Sequence, residues 1–374
     1  MFSINSIYRY YYGWWKNIDK PIFFLIIFLF SLGLFFSLVS TSLIASDKLD
    51  TNNYFFFFKH LIFICIGLIT LIFFSSLEEK KLFKVSVLLF FISLFFLVLV
   101  PIFGTEVKGS KRWLNLFFLP RFQPIELVKP FTIMFLAIIL GSEKNTNVYY
   151  KYFISFIVIV PIFFLLMIQP DIGQTLLVFL SWLTLVFISG IGLMLFITFF
   201  GVLLISLLYS VFFIPKFEYI RNRILSFFSP SDGTHNFQSD KAIDAIISGG
   251  FFGKGVGEGT LKNRVPEAHT DYIISVISEE FGVVVIILLL ILFLFFIYNV
   301  FKKIYLVSNE KIKLVLVGSI TLIIVQVLIH LGVNIRLFPT TGMTLPFLSY
   351  GGSSIIGVSI LSGIILNLTK RKVN

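Results

Sequence analysis

The chain has 374 residues, of which 57% are hydrophobic and 49 are Phe, well above the roughly 45–50% apolar content of a water-soluble domain. Composition therefore excludes a soluble globular protein and selects an all-α polytopic membrane protein; the formal charge of +11 sits in short Lys and Arg clusters between apolar runs, a pattern of membrane orientation and not of nucleic-acid binding. Cys65 is the single cysteine, which excludes an intrachain disulfide and any cysteine-based metal cluster.

In chain order, the first 20 residues carry Arg9, Lys16 and Lys20, and the apolar run 21–45 is too long for a signal-peptide core, so it is expected to remain as an anchor. Further runs at 54–76, 82–103, 126–141, 152–168, 172–189, 191–213, 271–300, 312–335 and 345–369 complete ten expected transmembrane helices. Counting Lys and Arg in alternate loops puts half of the 30 on one side, which predicts that both termini are cytoplasmic. The expected organisation is a single membrane domain over 1–374 with one long extracytoplasmic loop, 215–270, between helices 7 and 8.

The outer loop 104–123 departs from the charge rule, carrying Lys108, Lys111, Arg112 and Arg121 against the one acid Glu106. Either an anionic ligand or acids of the long loop opposite would hold these charges there. Immediately after it, Phe122-Gln123-Pro124-Ile125-Glu126 opens a helix in which Glu126 and Lys129 share a face, as a self-neutralising pair or as a lysine aimed at phosphate beside an oriented carboxylate. Gln169-Pro170-Asp171-Ile172-Gly173-Gln174 reads as a turn proline followed by a capping Asp171.

The segment 265–282 is expected to organise the protein. Thr270 or Asp271 is predicted to cap a helix in which Asp271, Ser275, Ser278 and Glu279 form one polar face entering an apolar span, a face that would line a site. The Gly-rich run 248–259 lacks the preceding strand of a phosphate-binding loop and reads as a flexible or re-entrant segment. In 339–354, two prolines and the pair Gly351-Gly352 predict irregular backbone, serving either an anion or close helix packing.

Taken together, Lys111-Arg112-Trp113, Phe122-Gln123-Pro124-Ile125-Glu126, Gln169-Pro170-Asp171-Ile172-Gly173, Pro266-Glu267-Ala268-His269-Thr270-Asp271 and Leu345-Pro346-Phe347-Leu348-Ser349-Tyr350-Gly351-Gly352-Ser353-Ser354 resemble the SEDS family of shape, elongation, division and sporulation proteins over essentially the whole chain. Ala268 and Thr344 make the chain more similar to the division branch than to the elongation branch; Ile125 departs from the Ser that the family commonly carries there. The resemblance implies a peptidoglycan glycosyltransferase of the cytoplasmic membrane, placed at the division septum. It would polymerise lipid II and work with a class B penicillin-binding transpeptidase.

Such a reaction needs a base for an alcohol and cations for a departing diphosphate. Asp271 is assigned as the base, Glu126 as an orienting or metal-binding carboxylate, and Lys111, Arg112, Lys129 and Arg336 as diphosphate contacts. Glu267, His269, Ser275, Glu279, Asp171, Ser349, Gly351, Gly352 and Ser353 are expected in support. A divalent ion, Mg²⁺ or Mn²⁺, suits oxygen ligands around phosphate, but no ligand set is legible. The rival readings are a lipid II flippase, which would place polar sites near the bilayer midplane and show internal repeats, and a scaffold that only recruits division proteins.

Overall fold

The computed structural model describes residues 4–41, 54–107, 110–115, 120–142, 148–228, 237–261 and 265–370; Lys48, Lys108, Lys144, Arg371 and Lys372 of the charge pattern lie outside them. The described chain folds as α1 (Ile4–Asn17), α2 (Lys20–Thr41), α3 (Phe55–Ser76), α4 (Glu79–Phe103), β1 (Thr105–Val107), β2 (Ser110–Trp113), α5 (Pro124–Leu140), α6 (Val148–Ile168) and α7 (Ile172–Ile188). There follow α8 (Leu193–Phe213), α9 (Glu218–Phe228), α10 (Phe237–Gly249), α11 (Ile273–Ile304), α12 (Glu310–Asn334) and α13 (Gly352–Leu368).

Each of the ten apolar runs is a helix, but their lengths differ in an informative way. Seven of them, α2, α3, α4, α6, α8, α11 and α12, are long and apolar enough to cross a membrane. The other three, α5, α7 and α13, have 17 residues each. At about 1.5 Å per residue they reach roughly 26 Å, short of a hydrocarbon layer of about 30 Å. The last run begins at Gly352 and not at 345, because 339–351 takes irregular backbone first. Three helices and a hairpin were not expected from hydropathy: α1 ahead of the first apolar run, α9 and α10 inside the long loop, and the antiparallel pair β1 on β2 inside the basic loop.

Burial ranks the helices. The apolar window of α12 is 72% buried and that of α8 only 6%, so α12 is central and α8 peripheral. Among the described helices α13 packs most extensively on α3. Small residues make that approach possible where lipid removes the hydrophobic drive: Gly67 faces Ser359, and Gly363 abuts the Leu71 backbone. Gly318 of α12 likewise lies against Ile133 and Leu185. The backbone of α11 is interrupted at Gly282 (φ 81°, ψ 172°), a conformation open to glycine alone in practice, and the break lets a loop close over the helix there.

Candidate functional site

The α6–α7 hairpin supplies the first wall. Pro170 turns the chain and Asp171 caps α7, accepting from the Gln174 amide at 3.4 Å, as its spacing predicts. The same carboxylate is also a receiver for distant groups. Arg112 of β2 reaches Asp171 Oδ1 at 3.6 Å while donating to the carbonyls of Gln169 (3.3 Å) and Pro170 (2.6 Å), and Gln123 Nε2 donates to Asp171 Oδ2 at 3.1 Å. Burial pushes the Asp171 carboxyl above its usual range, and Arg112 opposes that shift. Arg112 is therefore clamped by the hairpin, its side chain 14% exposed, with its charge delivered to one place.

Glu126 and Lys129, one turn apart on α5, lie beneath this wall. They are buried, with Lys129 Nζ 2.8 Å from Glu126 Oε2; Gln174 Nε2 donates to Glu126 Oε1 at 2.7 Å, and Lys129 also donates to Gln326 Oε1 at 3.3 Å. Gln326 passes the chain on to the Thr344 carbonyl at 2.9 Å. A small pocket lies between Glu126, Lys129, Gln326 and Gly357. The expectation of Lys129 as a direct diphosphate contact is corrected to this extent: its ammonium is sequestered, because a lysine at this depth is tolerated only when a carboxylate and an amide take its charge.

The second wall is the turn region 265–272. Amides of Thr270, Asp271 and Tyr272 all point at the Glu267 carbonyl (3.1, 3.1 and 3.3 Å), and Glu267 itself holds left-handed backbone, φ 56°. Neither Thr270 nor Asp271 caps the following helix; α11 starts after Tyr272 without a side-chain cap, so Asp271 belongs to the turn and not to the helical face. A residue on a turn can present its carboxylate sideways. It faces Gly342, where an added Cβ would meet Asp271 Oδ2 at 3.5 Å and Arg112 Nη1 at 3.7 Å. Gly342 (φ 70°) thus keeps open the space that the carboxylate and the guanidinium share.

Polar side chains of α12 hold this irregular backbone in place. Gln326, His330 and Asn334, at i, i+4 and i+8, bind the Thr344 carbonyl, the Met343 carbonyl (2.8 Å) and the Asp271 carbonyl (3.1 Å) in turn. From the other side, Ser349 Oγ accepts from the Leu345 amide and donates to the Thr270 carbonyl at 2.7 Å, the Tyr350 amide donates to the His269 carbonyl at 3.1 Å, and the Gln123 amide donates to Ser353 Oγ at 2.9 Å. Gly352 packs under the Phe63 ring and Gly351 against Thr344, so this pair serves close approach. Gln326, His330 and Asn334 were missed in the sequence, their i, i+4, i+8 spacing in an apolar helix being the available signal, while Gln123 and Gln174 stood in the quoted motifs without a role at the site.

Four expected site residues are placed elsewhere. Ser275 is buried and returns its hydroxyl to the Tyr272 carbonyl. Glu279, together with Glu280, is wrapped by the Gly-rich segment: the Leu261 amide donates to Glu279 Oε1 at 2.8 Å, the Gly257 amide donates to Glu280 Oε2, and the Lys254 and Gly255 amides take the two backbone carbonyls. The predicted polar face therefore splits, because Gly249, Gly253 and Gly259 let the loop backbone close over the Gly282 break. Arg336 pairs with Asp240 of α10 at 2.7 Å. Lys111 is exposed on β2 opposite Glu106.

The arrangement joins two chemical capacities. A half-buried carboxylate stands beside a fixed guanidinium, and the N-termini of α5, α7, α11 and α13 all open on this region, adding partial positive charge for an anion. Among the described residues no three His, Cys, Asp or Glu side chains converge on a metal position, and Glu126 is committed to Lys129 and Gln174; the residues do not fit a protein-held divalent ion.

Residues 20–374 match the family model of cell cycle proteins that comprises FtsW, RodA and SpoVE. A probable peptidoglycan glycosyltransferase FtsW of Caulobacter vibrioides is 30% identical over 360 residues, covering 96% of this chain and 91% of that protein; the Coxiella burnetii protein of the same name is 34% identical, covering 91% and 93%. Among solved structures, a chain of a peptidoglycan synthase complex that coordinates polymerization and crosslinking aligns with a TM-score of 0.77 at 27% identity, covering 94% of this chain and 97% of that one. The rod shape determining protein RodA of Thermus thermophilus aligns with a TM-score of 0.69 at 26% identity, covering 95% and 97%.

Proposed function

Because this chain belongs to the FtsW, RodA and SpoVE family of cell cycle proteins, we propose that it is a peptidoglycan glycosyltransferase that polymerises lipid II at the outer face of the cytoplasmic membrane during septal wall synthesis. The observation that carries the reading is the space at Gly342, flanked by the Asp271 carboxylate and the Arg112 guanidinium. In this reading the acceptor sugar hydroxyl attacks the anomeric carbon of the donor. A glycosidic C–O bond forms, the C–O bond to the diphosphate breaks, the proton passes to Asp271, and undecaprenyl diphosphate leaves with the electron pair toward Arg112 and the helix N-termini.

Glu126, Lys129 and Asp171 act as support: they fix the hairpin and the 343–345 backbone, and with them the position of Arg112. Lys111, exposed on β2, contributes positive charge at the margin, whereas Arg336 is paired with Asp240. Ten helices cross the bilayer as one domain with both termini cytoplasmic and 215–270 outside, and the short helices α5, α7 and α13 leave the site recessed below the outer surface, where irregular backbone lines a cavity. A class B penicillin-binding protein is the proposed partner. Support for an enzyme over a flippase comes from the grouping of Arg112, Asp171, Gln123 and Asp271 at one end of the helices. Purified protein, alone and with its cognate transpeptidase, tests the reading: labelled lipid II converted to glycan chains supports it, and lipid II transport without chain formation refutes it.

A further inference from the structure

Beside Asp271 lies a group of rings with no part in the proton transfer or the diphosphate's departure. The Phe56 ring, at the start of α3, lies 5.1 Å from the His269 ring and 5.8 Å from the Tyr350 ring, and His269 and Tyr350 are themselves 5.8 Å apart. All three are partly exposed. Behind them His60 is fully buried, edge-to-face with Tyr350 at 5.8 Å, with neither ring nitrogen hydrogen-bonded.

The cluster is tied to the turn that carries Asp271 by two hydrogen bonds, Tyr350 N–H to the His269 carbonyl and the Ser349 hydroxyl to the Thr270 carbonyl. His269 precedes Asp271 by two residues, a span of at most about 7 Å. Asp271 therefore has two neighbourhoods. Its carboxylate faces Gly342 and Arg112, the side suited to the departing diphosphate, while the adjoining backbone holds the rings.

We infer that Phe56, His269 and Tyr350 form the subsite for the acceptor sugar, an inference that rests on the polymerase reading. A pyranose presents a face of C–H groups that packs on an aromatic ring, while its hydroxyls suit the imidazole and the phenol; apolar rings with polar tips match such a ligand. The subsite holds the acceptor hydroxyl against Asp271. His60 positions Tyr350 through its ring edge. A role confined to anchoring α3 at the membrane interface is the competing account of Phe56 and Tyr350.

The test is steady-state polymerisation of lipid II by the full-length protein with its transpeptidase. Wild-type protein that makes no glycan refutes the polymerase reading and leaves the subsite without a reaction, an outcome separate from any difference among variants. With an active wild type, Tyr350→Leu and Phe56→Leu are expected to raise KM about tenfold, the loss of one ring face of apolar contact, with kcat less affected. Phe56→Tyr, which keeps the ring, is expected to restore KM, and Tyr350→Phe, which keeps the ring but loses the phenol hydroxyl, to restore most of it. Leu variants with wild-type KM, or with reduced accumulation and unchanged KM, overturn the subsite in favour of the interface anchor. Should Tyr350→Leu fail to accumulate, Phe56→Leu on the outer end of α3 carries the same comparison.

Discussion

Lys129→Met should cost the protein more than any exposed charge change. Glu126 and Lys129 are 3% and 5% exposed and 2.8 Å apart, so their attraction at an effective dielectric of about 20 is on the order of 6 kcal/mol. Desolvation of both ions offsets much of that, which is why the pair is worth little relative to two apolar groups. Removing one partner is different. Lys129→Met leaves Glu126 with only the Gln174 amide, and Glu126→Gln leaves a buried ammonium with the Gln326 oxygen at 3.3 Å. Each is expected to destabilise by about 3–5 kcal/mol. The double variant Glu126→Gln/Lys129→Met removes both charges and should recover most of the loss, a coupling that a double-mutant cycle isolates. The assay is the fraction of detergent-solubilised protein that stays monodisperse after heating. Lys129→Met as stable as wild type, or a double variant no better than either single one, would refute the buried-pair account.

The same geometry sets three further outcomes. Gly342→Ala puts a methyl group into the space between Asp271 and Arg112 at φ 70°, so polymerisation should fall about 10²-fold while membrane accumulation changes little; a near wild-type rate would show that no substrate passes there. Arg112→Gln should abolish most turnover, since an amide cannot replace a clamped guanidinium at a diphosphate, and unchanged turnover would return Arg112 to a purely structural role at the α6–α7 hairpin. On a Cys65→Ser background, a cysteine at the exposed Val256 should react with an impermeant thiol reagent from outside and one at the exposed Asn309 should not; the reverse pattern inverts the topology.

Hydropathy located the ten apolar helices because length and composition decide them locally. It misjudged the last one, whose start moved from 345 to Gly352, because Leu345, Phe347 and Leu348 are apolar yet pack as irregular backbone held by Gln326, His330 and Ser349. Asp171 was legible as a cap because its partner is three residues away; its pairing with Arg112 and Gln123 is set by tertiary structure and leaves no local pattern. The face running from Asp271 to Glu279 failed for a definite reason: helical periodicity presumes a helix, and 265–272 is a turn stabilised by the Glu267 carbonyl. Arg336 looked available as an outer cation because Asp240, its partner, lies in α10, a helix hidden in a loop of mixed charge.

Whether Asp271 accepts the proton of the attacking hydroxyl is tested most directly by Asp271→Asn in the lipid II polymerisation assay. Asn keeps the size of the side chain and leaves the backbone carbonyl that Asn334 binds, so fold, membrane accumulation and transpeptidase binding should be retained. An amide cannot take up the proton, and loss of a general base typically costs about 10² to 10⁴ in rate. The expected result is a stable, partner-bound protein that makes no detectable glycan. Glycan synthesis by Asp271→Asn at near wild-type rate would contradict the assignment of Asp271 as the base.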